Sequence, residues 1–140
     1  TPLTGVRRAL RTVGARQIGY LAPYISEISF QMCSLLEDED GLQIAAAGTF
    51  GEGRDSIVGC IHPQSILDAI DAIVDQASTR LDAIFISCTS LKCAAIIEKA
   101  ENKHGIPVIS SNSAIAWDMA RLASLDVPRA GKGLLFHQNG

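Results

Sequence analysis

A chain of 140 residues with 47% hydrophobic and 19% charged side chains is long enough for one domain with a real core, and its composition is not that of a disordered segment. A net charge of −3 and a single basic cluster, Arg7, Arg8 and Arg11, exclude a nucleic-acid partner from the expectations. No apolar run approaches the roughly 18–20 residues of a membrane span, and Thr1-Pro2-Leu3-Thr4 has neither the basic start nor the apolar core of a signal peptide, so a soluble, cytoplasmic protein with no membrane partner is predicted.

In chain order, Thr1 can cap and Pro2 can open a first helix that runs to about Val13 and stops at Gly14, with the three arginines on its wet face. A chain that opens at Thr1, inside such a helix start, is expected to be a fragment, a processed product or a protein lacking its front half. Gln17–Leu21 reads as a short apolar strand ending at Ala22-Pro23-Tyr24. A second helix over roughly Ser26–Leu36 follows, then an acidic, solvated turn, Glu37-Asp38-Glu39-Asp40-Gly41. Leu42–Ala47 is a second strand, Gly48–Arg54 a loop, and Asp55–Cys60 a short helix. Ile66, Leu67, Ile70, Ile73 and Val74 recur at helical spacing and predict an amphipathic helix over Pro63–Ser78. Ala83–Ser87 is the third strand, Ser90–Asn102 a helix, Ile106–Ile109 the fourth strand and Ser113–Leu125 the last helix. The segment 126–140 is a weakly patterned tail behind a single α/β lobe, 1–125.

Short, almost wholly apolar strands alternating with helices imply a parallel α/β sheet covered on both faces. The expected strand order is the flavodoxin-like 2-1-3-4, in which ligands bind beyond the carboxyl ends of the first and third strands. Tyr24 and Cys88 are thereby predicted as neighbours on one rim, flanked by Ser110, Ser111 and Asn112.

The four cysteines, Cys33, Cys60, Cys88 and Cys93, include no C-x-x-C pair, and a core of this size needs no disulfide. With His62, His104 and His137 scattered, no metal site is expected. Cys88 differs from the other cysteines in standing where a buried strand meets a helix. A thiol at a helix N-terminus faces free N–H groups and the positive end of the helix dipole, which favour thiolate. Thr89 and Ser90 add hydroxyls, and free amides there suit a carboxylate or phosphate. The alternative is a small residue chosen for a tight turn.

The stretch IFISCTSLK, with IIEKAENKHGIPVISSNSAIAW after it and TPLTGVRRALRTVGARQIGYLAPYI at the start, resembles the second half of the aspartate/glutamate racemase superfamily, in the branch of maleate cis–trans isomerase, arylmalonate decarboxylase and the ectoine-utilisation proteins. The resemblance implies one lobe of a two-lobe fold whose facing lobes each supply a cysteine to a small carboxylate or dicarboxylate, with no cofactor. It implies that Cys88 is the catalytic thiol and that Tyr24 and Thr89 contact carboxylate, with Ser90, Ser111 and Asn112 shaping the same rim. It further implies a partner, either a missing N-terminal lobe or a second copy. No first-lobe cysteine motif occurs, and Ala22 stands where the family places a threonine. The function expected is therefore a cofactor-independent isomerase or racemase, or its C-terminal half, with the 140-residue chain inactive alone and its rim open to water. The alternatives are a decarboxylase of the same family or a non-catalytic binding module. An in-frame upstream segment with a strand-end cysteine would favour an enzyme, and a start codon near Thr1 the module.

Other features carry plainer expectations. The loop Gly48–Asp55 lacks the Lys-Ser/Thr of a phosphate loop. Arg54 is a loop charge or a carboxylate contact, His62-Pro63 a helix entry, and Trp117 a packing residue.

Overall fold

The computed structural model describes residues 1–138. Four strands, β1 (Gln17–Ala22), β2 (Gln43–Thr49), β3 (Ala83–Ile86) and β4 (Val108–Ser110), form one parallel sheet in the order β2-β1-β3-β4, as the alternation of elements predicts. Side chains alternate across it. Ile18, Tyr20 and Ala22 of β1 and Phe85 of β3 enter the core formed with α1 (Pro2–Thr12), α2 (Ser26–Asp40) and α6 (Ser111–Leu122). Leu21, Ile84 and Ile86 enter the opposite core, under α4 (Pro63–Gln76) and α5 (Ile97–His104). Among the described residues no helix is long and apolar enough to cross a membrane.

Two close approaches fix how helices lie on the sheet. A Cβ on Gly19 would sit 2.7 Å from Cγ2 of Ile73, so α4 rests directly on the β1 backbone. Gly19→Ala is expected to lower stability by about 1–3 kcal/mol through overpacking, read as a shift in urea midpoint without a change in slope. An unchanged midpoint would mean that α4 moves away at no cost. On the other face, Gly5 meets the Ala114 carbonyl, where a Cβ would come within 3.2 Å, and this brings α1 against α6.

Helix boundaries depart most from the sequence expectation in two places. The acidic run 37–40 is not a turn but the last turn of α2, ended by Gly41 in the left-handed conformation. Carboxylates at a helix C-terminus oppose the dipole, and here the arginines of α1 compensate. Arg7 pairs with Glu39 and, at 2.7 Å, with Asp40, which also accepts from Arg11 at 3.3 Å. The arginine face of α1 is therefore ion-paired as well as wet. Arg8 reaches Asp118 on α6 at 2.9 Å.

The second departure lies after β3, where α5 begins at Ile97 and not at Ser90. Leu91 and Cys93 are both buried in one core, and two residues apart they cannot share a helix face. Loop geometry buries both, with the Cys93 N–H turned onto the Leu91 carbonyl at 3.0 Å.

After α6 the chain makes one helical turn, α7 (Val127–Ala130), and a 3-10 turn at Leu134–His137 that buries Leu135 and Phe136. The outer end of the Phe136 ring abuts Gly131, where any side chain would collide with it. Glu101, buried on α5, accepts the N–H of Val108 at 3.0 Å and of Leu134 at 2.9 Å, which ties this segment to β4. Burial raises the Glu101 carboxyl above its ordinary range, against the pull of those two N–H donors.

Candidate functional site

The carboxyl ends of β1 and β3 lie side by side, with Leu21 opposite Ile86. β3 continues its alternation past Ile86, so Cys88 falls on the α4/α5 side and is only 4% exposed. The Ser90 N–H donates to its Sγ at 3.3 Å. Because α5 starts seven residues further on than expected, Cys88 is not at a helix N-terminus, and the dipole argument made from sequence does not apply to it.

Tyr24 reaches the thiol from β1. Its turn is fastened to the loop after β2: the Phe50 N–H donates to Ala22 O at 3.2 Å, the Glu52 N–H to Pro23 O at 2.7 Å, and the Thr49 hydroxyl to Tyr24 O. Burial of the ring, and then the adjacent Cys88 thiol, hold the Tyr24 phenol well above its ordinary pKa. Tyr24 is thus a neutral hydroxyl, able to donate, throughout the neutral range. Beneath it, Tyr20 is fully buried, edge-on to Phe85 at 5.9 Å. Its phenol is pushed up to about 12, chiefly by burial; Ser87 and Ser29 lie near its hydroxyl, but neither makes a well-formed hydrogen bond to it.

From β4, Ser110 caps α6 in a reciprocal pair with Ser113, at 3.0 and 2.9 Å. That cap aims Asn112 back across the rim, where its side-chain amide donates to the Thr89 carbonyl at 2.9 Å. The fold therefore gathers Tyr24, Cys88, Thr89, Ser90 and Asn112 at the carboxyl end of the sheet. Ser111, in the first turn of α6, is buried. The expectation of a rim open to water is corrected: Cys88 and Ser111 are 4% and 6% exposed, while Tyr24 is half-buried and Thr89 exposed. Exposed apolar side chains stand around it, Ile25 and Ile28 at the start of α2 and Ile57 in α3 (Asp55–Val58).

The remaining candidates fall away from the thiol's chemistry. Arg54 pairs with Glu52 within the loop at 2.9 Å and faces solvent. His62 caps α4, its Nδ1 accepting the Gln64 N–H at 3.1 Å. Trp117 is buried under Arg121. Cys33 is half-buried in α2, with burial pushing its thiol up to about 11. Cys93 is buried and its thiol raised for the same reason, and Cys60 is exposed.

Beside the thiol, on the far side of residues 89–95, a cavity of 870 Å³ is bounded by Thr89, Ser90, Asn112, the first turns of α6 and the 130–136 segment. Lys92 and Lys132 also line it, whereas Tyr24, Cys88 and Ser111 do not. Sequence reasoning missed both lysines. Lys92 carries no signal beyond its place in the thiol motif, and Lys132 arrives from a tail without periodicity.

Residues 1–136 match the family model described as arylmalonate decarboxylase. The chain is 28% identical over 131 residues to a maleate isomerase of Nocardia farcinica, covering 93% of this chain and 51% of that protein. It is 27% identical over 140 residues to an arylmalonate decarboxylase of Bordetella bronchiseptica, covering 99% and 58%. The chain thus spans about half the length of these relatives. A crystal structure of arylmalonate decarboxylase superposes with a TM-score of 0.86 at 28% identity, over 98% of this chain and 60% of that one. A Nocardia farcinica maleate cis–trans isomerase mutant carrying a succinylcysteine intermediate superposes at 0.89 with 23% identity, over 99% and 56%, and shows the shared fold.

Proposed function

Since the chain belongs to the arylmalonate decarboxylase family, we propose that it is the thiol-bearing lobe of a cofactor-independent enzyme that isomerises, racemises or decarboxylates a small carboxylate, with Cys88 as the reacting group. One observation carries this reading: a thiol at the end of a central strand, with a neutral tyrosine hydroxyl beside it and a backbone N–H on its sulfur.

In this reading the Tyr24 hydroxyl and the Thr89–Ser90 segment bind carboxylate, and Asn112 fixes that segment through the Thr89 carbonyl. As a base, the thiolate takes the proton from the carbon next to the carboxylate, and the bonding electron pair moves into the carboxylate as an enediolate. As an acid, the thiol returns a proton to that carbon. In a decarboxylation the pair is released by departing carbon dioxide instead, and one thiol suffices to protonate one face. Racemisation needs a second acid on the opposite face, which a further lobe would supply. The exposed isoleucines around the rim offer that lobe an apolar seat.

Alkylation tests the assignment. With iodoacetamide, exposed Cys60 should label at the same rate with or without maleate, whereas labelling of Cys88, followed by peptide mass mapping, should slow several-fold as maleate or phenylmalonate is added. Equal rates at Cys88 with and without the diacids would remove the carboxylate site from this rim.

A further inference from the structure

The 870 Å³ cavity beyond residues 89–95 has a composition that the thiol chemistry does not use. Its only charged lining residues are Lys92 and Lys132, and neither has an ion-pair partner among the described residues. No carboxylate faces into it. Its floor is apolar, with Leu91, Ile97 and Phe136 buried beneath. Lys92 and Lys132, both exposed, bring two side chains with three donors each and no acceptor to the wall of this apolar cavity, in a chain whose net charge is −3. The volume lies within the range of about 300–1,000 Å³ typical of small-molecule sites.

We propose that this cavity is a second ligand site, separate from the thiol, that takes a phosphate monoester carrying an apolar group. Charge balance selects the phosphate. A monoester bears about −1.5 to −2 at neutral pH and gathers three acceptor oxygens on one centre, which matches two lysines, whereas a monocarboxylate matches one and a dicarboxylate divides its two charges between two groups. The Thr89 and Ser90 hydroxyls supply further donors at the same wall. The apolar group of the ester covers Leu91 and Phe136. The tail is part of the site: Glu101 holds the Leu134 N–H and Phe136 packs on Gly131, so Lys132 is carried on a fastened segment. Cys88 does not line the site, which shares the Thr89–Ser90 segment and Asn112 with the thiol rim.

The 140-residue chain is titrated with phenyl phosphate by calorimetry and by amide chemical-shift mapping, with phenylacetate, inorganic phosphate and benzyl alcohol as comparisons. Phenyl phosphate is expected to bind one per chain, more tightly than any of the three, with shifts at residues 89–95 and 130–136. Lys92→Gln and Lys132→Gln should each weaken it about two- to fivefold, as exposed charge pairs do, and the double change about tenfold. Ala116→Phe, which fills the cavity from α6, should abolish it, and Cys88→Ser should leave it unchanged. Absent binding, a preference for phenylacetate, or indifference to both lysines would overturn the proposal. Loss of binding in Cys88→Ser would merge the site with the thiol rim and overturn its separateness.

Discussion

Replacing Cys88 by serine is expected to lower turnover of maleate or an arylmalonate by about 10²–10⁴-fold in a polypeptide that carries both lobes, the range over which a positioned acid–base group acts. The substitution suits the test because it changes little else. Serine is slightly smaller, its oxygen can still accept the Ser90 N–H, and the site is closed on the core side by Ile86 and Leu91. Thermal midpoint and substrate affinity should therefore move little while kcat collapses. Alanine should behave the same way in kcat. It would also leave the Ser90 N–H without its partner, at a further cost in stability of about 1 kcal/mol. Retained activity in the serine variant would remove Cys88 from the chemistry.

The second large effect concerns the lobe by itself. The 140-residue chain should turn over neither maleate nor phenylmalonate measurably. Although Cys88 is sheltered, Thr89 and part of Tyr24 face water, and donors in contact with solvent stabilise a developing enediolate far less than donors in a closed site. One thiol also serves only one face of a planar intermediate. Ile25, Ile28 and Phe30 are 42%, 46% and 73% exposed on the same helix end, so self-association is expected in solution. Light scattering alongside the assay decides the matter: turnover by a monomer refutes the need for a second lobe.

The order of elements and the strand order were legible because short apolar runs between amphipathic stretches leave few topologies. That order is enough to bring Tyr24 to Cys88. The segment after Cys88 was less legible. Ile96, Ile97 and Ala100 fit a helix, and only the joint burial of Leu91 with Cys93, a tertiary fact, delays it to Ile97. The acidic end of α2 was misread because its stabilising arginines lie 29 to 33 residues earlier. The burial of Cys88 was hidden for a similar reason, since the sequence shows where a strand ends but not which loop folds over it. The neutral tyrosine beside the thiol depends on burial and on a neighbour brought by another strand.

The pairing of α1 with α6 bears on how the protein is made. Arg8 meets Asp118 across 110 residues of chain, and Val6 and Leu10 share their core with Ala114 and Trp117. On the ribosome α1 emerges ahead of the rest of this lobe, and its packing against α6 must wait until almost the whole lobe has been synthesised. Its apolar stripe must wait, exposed or held by a chaperone, for the length of translation. Nascent chains halted before Trp117 should therefore be cut readily by protease within the first helix, and chains halted beyond Phe136 should resist.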